Sequence, residues 1–402
     1  MRLGLPSKRL VMRALILRGE NMRSDFASRR LFTVIAAGVL AVVVGGCGSS
    51  NSSSSSSTAS TSAATTPAFP NASKANVEFE RRPTSIGLTT PVGAKIPTGK
   101  KLDFVQCGVP ACVTEGNLLE AATKLLGWQL KRLNGGSSPA EIKAAYQQAI
   151  NEKPAAVLGS GYSRVLFEPE IAALKKLGIP VLEAFVEDSP GNGLTAVTGG
   201  RKATEIEGKE MADYVLAHNT SKSFAFGQVY VNGFETTVVV AASEKKELEA
   251  ECPSCKIDQL EVPVTSIGSD LPSRVTAFLT AHPEVEWSSI AYSDLVVGLP
   301  TALKGASIEH AKLVTLNLNT TIASYMKKGE YLQTGVGTTF PEVYWREIDL
   351  LARLFTHQPY TEDTNDASLP FWTVTAASLP STTEEFPAVP NYEEQFKKLW
   401  GL

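Results

Sequence analysis

From Leu102 to Thr356 short apolar runs alternate with amphipathic stretches, and this alternation constrains the fold more than any other feature of the chain. Leu102–Gln106, Trp128–Leu133, Ala155–Leu158, Pro180–Phe185 and Thr195–Thr198 read as strands. Leu118–Gly127, Pro139–Asn151 and Pro169–Leu177 read as the helices between them, with Ser138 as an N-cap and Pro139 in the first turn. After a long helix over Lys202–His218 the pattern repeats. Phe224–Tyr230, Ile257–Val262, Ser289–Tyr292, Lys312–Asn317 and Tyr331–Val336 are strands; Thr236–Glu251, Leu271–His282, Val297–Gly305, Ile322–Lys328 and Pro341–Thr356 are helices. The strands are mostly unbroken apolar runs, which suits parallel strands covered on both faces. Alternating β and α units imply α/β, doubly wound parallel sheets with right-handed crossovers, and the strands are too many for one sheet. Two lobes are expected.

What precedes this body has a different character. Arg23, Arg29 and Arg30 lead into an apolar run, Leu31–Val44, which ends in Gly45, Gly46 and Cys47. The run is short and rich in small residues for a span that needs roughly 20 residues. It resembles a bacterial lipoprotein signal with its lipobox. That resemblance implies a signal over 1–46, cleavage before Cys47, and a lipid on the Cys47 thiol; Met22 is an alternative start. An uncleaved membrane anchor is the competing reading. The segment Gly48–Ala68 is almost wholly Ser, Thr, Ala, Gly and Asn, with little to bury, so a disordered tether is expected over 47–76.

Of the 402 residues, about 320 then remain for the folded body, enough for two domains with sizeable cores. Hydrophobic content of 43% and charged content of 20% are ordinary for a globular protein. A net charge of −3 gives no basis for nucleic-acid binding. Besides Cys47, four cysteines form two close pairs, Cys107/Cys112 and Cys252/Cys255. Two local disulfides in an oxidising compartment are the favoured reading. A four-Cys zinc site and a redox Cys-x-x-Cys centre are the rivals. The second pair follows a helical stretch instead of opening one, the wrong electrostatic setting for a reactive thiol.

The order of motifs across roughly Lys100–Ser381 resembles the type I periplasmic solute-binding proteins, in the ribose-binding-like branch that serves sugar ABC importers. Lys153–Leu158 after the helix Pro139–Asn151, Ala172–Val181, Gly208–Val215, and Ala291–Asp294 followed by Val297–Gly298–Leu299 carry the resemblance. It implies two lobes joined by a three-segment hinge near Gly199–Gly200, Thr338–Thr339 and Asp366–Pro370. Lobe one would hold 98–199 plus 339–367, lobe two 200–338 plus 368–380, and 381–402 a C-terminal tail. It further implies a lipid-anchored, extracytoplasmic, monomeric protein that hands a small sugar-like or other neutral polar or aromatic ligand to an ABC permease, without a cofactor.

Ligands in such sheets bind at the carboxyl ends of the strands. Tyr162, Phe185, Asn232, Phe234, Asp294, Asn317 and Thr338 follow strand ends and form the candidate ligand site, with the Cys107–Cys112 loop as a cleft wall. The family's Asp-Arg pair after the fourth strand is replaced by Ala184-Phe185-Val186-Glu187-Asp188, which points away from a ribose-like ligand and toward a more apolar, neutral pocket. None of His218, His282, His310 and His357 sits in a triad or metal pattern, and Gly159-Ser160-Gly161 lacks the rest of a phosphate loop. Binding, not catalysis, is expected, with no metal. A sensor subunit for a two-component system and an extracytoplasmic enzyme are the alternatives.

Overall fold

The computed structural model describes residues 67–402. The expected signal, the expected lipidation of Cys47 and the expected tether up to residue 66 lie outside the described residues. The first sheet has β1 (Lys101–Cys107), β2 (Gln129–Gly136), β3 (Ala156–Ser160), β4 (Val181–Ala184) and β5 (Leu194–Thr198) in the order β2-β1-β3-β4-β5, every pair parallel. The second has β6 (Ala225–Asn232), β7 (Lys256–Pro263), β8 (Val285–Ile290), β9 (Lys312–Leu316), β10 (Leu332–Val336) and β11 (Val374–Thr375) in the order β11-β10-β9-β8-β6-β7. Only β11 runs antiparallel to its neighbour. Two α/β lobes with parallel sheets are therefore present.

The helices are α1 (Pro70–Phe79), α2 (Pro110–Leu125), α3 (Pro139–Glu152), α4 (Glu168–Lys176), α5 (Arg201–Ala217), α6 (Glu235–Glu251), α7 (Leu271–Ala281), α8 (Leu299–Gly305), α9 (Thr320–Lys328), α10 (Phe340–Phe355) and α11 (Tyr392–Trp400). Local chemistry sets several of their ends. Ser138 and Glu141 close a reciprocal capping box at the start of α3. Gly298, at φ +83°, separates a 3-10 turn over Ser293–Val296 from α8, where one helix from Val297 was expected. The strand expected at Ser289–Tyr292 is instead β8, Val285–Ile290, because Val285 and Trp287 fill the core and the buried Ser288 and Ser289 pair between β6 and β9.

Two segments outside the expected lobes fold. α1 occupies residues that the reading above gave partly to a disordered tether: Phe69 and Ala72 pack with Met211, Val215 and Phe226 of lobe two. Residues 381–402 contain α11, whose Phe396, Leu399 and Trp400 join the lobe-one core around Trp345. Between them, the arm after α1 brings Ile86, Leu88 and Val92 into that same core. Arg346 of α10, fully buried, donates to Ile86 O at 2.7 Å. Glu362 takes the amides and hydroxyls of Thr89 and Thr90, which hold its carboxyl down at about 2.

The chain passes between lobes beside Gly199–Gly200, at Gly337–Thr339 and after Leu369. It does so again after α1 and once more between Ala388 and Val389. At the first place Asp366 accepts both Gly199 N and Gly200 N, at 3.0 and 2.9 Å.

Candidate functional site

The carboxyl ends of both sheets face one cleft, the position where doubly wound sheets take ligands. Cys107 ends β1 and Cys112 lies in the first turn of α2; their disulfide, with 5.6 Å between Cα atoms, fastens strand to helix. The wall expected as a loop is therefore a helix N-terminus, and it brings Glu115 to the cavity. Ser160 and Gly161 follow β3, Phe185 follows β4, and Phe340 opens α10. Lobe two supplies Phe234, Thr236 and Thr237 after β6, Tyr292 after β8, and Leu316 and Asn317 at the end of β9. The space they line is about 100 Å³ and only partly closed off from solvent, and a smaller void of about 40 Å³ shares Asn317 and Phe340.

Contacts across the cleft hold the lobes together. Thr236 Oγ1 donates to Phe185 O at 2.8 Å, and the Tyr162 and Phe234 rings lie 5.7 Å apart. Phe185 also packs on Phe340 and Tyr344, with ring centroids 5.4 and 5.8 Å away. Phe185 and Asn317 both have positive φ, 52° and 59°. A bulky residue in that region is a real outlier, and such strain persists where the surroundings fix it, often at ligand sites.

Electrostatics single out one residue. Glu115 is 4% exposed, and its Oε2 has no hydrogen-bond partner. Loss of hydration pushes its carboxyl up to about 7, against the opposing pull of the Tyr344 and Ser160 hydroxyls. Asp294 is raised too, mainly by burial; Asn319 Nδ2 donates to its Oδ1 at 3.1 Å while Oδ2 stays unpartnered. Among the described residues, those lining the two spaces include no Lys, Arg or His.

No family model matches the chain, and no curated protein is similar to it. Solved structures do match. An ABC sugar transporter subunit from Rhodobacter sphaeroides 2.4.1 is 19% identical with a TM-score of 0.59, covering 69% of this chain and 98% of that one. A protein from Mycobacterium smegmatis in complex with β-D-fucofuranose is 16% identical with a TM-score of 0.60, covering 75% and 98%. The fold is that of the type I periplasmic-binding proteins. A protein from Bacteroides fragilis described as a LacI transcriptional regulator matches equally, at 15% identity and TM-score 0.59 over 70% and 98%, so the type I fold alone does not fix a role.

Within this type I fold the sequence-predicted residues separate into groups. Phe185, Phe234 and Asn317 line the cavity. Tyr162 is buried in the seam beside it, packed on Phe234. Asp294 sits behind the wall, in a 3-10 turn that its side chain does not cap. Asn232 is exposed and donates to Glu261 at 2.6 Å on the neighbouring strand. Thr338 is buried between lobes, its amide and hydroxyl both given to Glu207, at 3.0 and 3.1 Å. Sequence reasoning missed Glu115, Tyr292 and Phe340. Pro110 at the helix start was the available signal for Glu115. The paired cysteines are as expected, Cys107–Cys112 and Cys252–Cys255.

One group gathers far from the cleft. Asp258, His282 and Glu284 offer ligand atoms within 4.8 Å of one another near the starts of β7 and β8. Lys256 Nζ already lies 3.1 Å from Asp258 and 3.0 Å from Glu284, so a cation is supplied by the protein itself.

Proposed function

We propose that this chain is the extracytoplasmic solute-binding component of an ABC importer, anchored by a lipid on Cys47. It would hold a small polar or aromatic molecule between its lobes and present the closed form to a permease. The carrying observation is the cleft itself: a partly closed space at the carboxyl ends of two sheets, lined by both lobes and bordered by chain crossings at Gly199–Gly200 and Gly337–Thr339. A binder that closes over its ligand needs such a geometry. The Rhodobacter transporter subunit of like fold adds support. Among the described residues no helix is long and apolar enough to cross a membrane, so attachment would fall to the segment before residue 67.

Two measurements test the reading. Small-angle scattering on purified protein, with and without a ligand found by a thermal-shift screen of sugars, polyols, amines and aromatic compounds, should show the radius of gyration falling at saturation. An unchanged profile sinks the importer role. Cys47→Ala should move the protein from the membrane fraction to the soluble one; a variant that stays with membranes at full precursor mass rules out the lipid anchor.

A further inference from the structure

The wall of the cleft holds buried polar atoms without hydrogen-bond partners. Glu115 Oε2, Asp294 Oδ2 and the Tyr292 hydroxyl are all buried and unpartnered, and all belong to the wall or the layer just behind it. Glu115 is the one that is almost wholly buried and lines the space directly. A buried carboxyl oxygen left without a donor is unfavourable, and a ligand that supplies one relieves that. The rest of the lining is chiefly apolar and aromatic: Val109, Phe185, Phe234, Tyr292, Leu316 and Phe340.

These features discriminate among ligands by charge. An anion would meet the Glu115 carboxyl group, with that of Asp294 behind it, and no basic side chain. A neutral hydroxyl can bond Glu115 but brings no charge to stabilise its ionised form. An ammonium group brings up to three donors and a positive charge, and aromatic faces attract that charge as well.

We propose that the cleft takes a small organic cation, an amine whose ammonium group is held by Glu115 and whose body packs on the aromatic walls. The proposal rests on the cleft being the ligand site, as above, and replaces the neutral ligand expected from sequence with a charged one. Glu115 is then the residue that selects amines over their neutral analogues.

Matched pairs test it: phenethylamine against phenethyl alcohol, and glucosamine against glucose, titrated by calorimetry into the wild-type protein and Glu115→Gln. The amine of at least one pair should bind the wild type at least about tenfold more tightly than its partner. Glu115→Gln should erase that preference without lowering the melting temperature of the unliganded protein. If the neutral members bind as tightly, or the preference survives in the variant, the cation assignment falls while the solute-binding role stands. If neither these compounds nor the wider sugar and polyol set binds, both fall. Should Glu115→Gln fail to fold, the wild-type comparison of amine with alcohol decides alone.

Discussion

Asn317 and Phe185 show what the cleft asks of single residues. Both end a strand with positive φ, where a side chain with a Cβ costs about 1–2 kcal/mol and glycine or asparagine least. Asn317→Gly should keep the urea stability of the wild type, and Asn317→Ala should lose about 1 kcal/mol. If the two changes weaken ligand binding by the same factor, the amide contacts the ligand; full affinity in the glycine variant would leave Asn317 a purely backbone role. Phe185, Phe234 and Asn317 were legible as cavity residues because each follows a strand end in sequence. Asn232 and Thr338 follow strand ends too, yet Glu261 and Glu207 engage their side chains, and partners that remote in sequence are invisible to local reading. Glu115 is not legible in sequence because the Cys107–Cys112 stretch reads as a loop, whereas Pro110 starts α2.

At the scale of elements, α10 carries lobe one. Its Arg353 is buried, with Nε 2.6 Å from Asp349 and 3.1 Å from Asp363, and Asp349 also accepts Trp400 Nε1 at 2.7 Å. One guanidinium thus ties α10 to the loop after it and, through Asp349, to α11. Removing one member of a buried ionic cluster leaves its partners uncompensated. Arg353→Met, similar in bulk, should therefore destabilise by about 3–5 kcal/mol in urea unfolding. A loss below about 1 kcal/mol, the range of a surface pair, would mean the cluster contributes little. The amphipathic pattern of α10 was readable; its buried arginines gave no sign in sequence of the carboxylates and carbonyls that satisfy them.

For the whole molecule, the notable property is how many glutamates are buried without a cation. Burial pushes Glu115, Glu207, Glu244 and Glu342 up to about 7 and Glu183 up to about 8. Hydroxyl, amide or backbone donors such as Tyr146, Gln228 and Thr338 offset only part of that cost. Each group keeps its proton in the folded state at pH values where the unfolded chain, near 4.5, has released it. Stability from these groups is thus fully present below about pH 4.5 and is lost as pH rises through about 7 to 8. Glu362, held at about 2, acts in the opposite sense but only at lower pH. The melting temperature should be highest in mild acid and fall steadily toward pH about 8, and Glu183→Gln should flatten the fall. A melting temperature that is level or rises over that range contradicts the prediction. The crossings after α1 and before α11 link the lobes in addition to those at Gly199–Gly200, Gly337–Thr339 and after Leu369.

The sequence alone determined the element types and most of their order, since apolar runs and helical spacing act over a few residues and survive without context. It determined the two-lobed α/β class for the same reason, and the local disulfides, because partners five and three residues apart need no tertiary information. Only the folded chain decided which strand-end residues turn into the cavity, because that depends on which distant carboxylates or amides claim their side chains first. It alone brought Glu115 to the cavity, and it alone spread the N-terminal segment over both lobes and bound α11 to lobe one. Those segments fold by burying Phe69, Ile86 and Trp400 against surfaces made from residues far along the chain, and burial of that kind leaves no local signature.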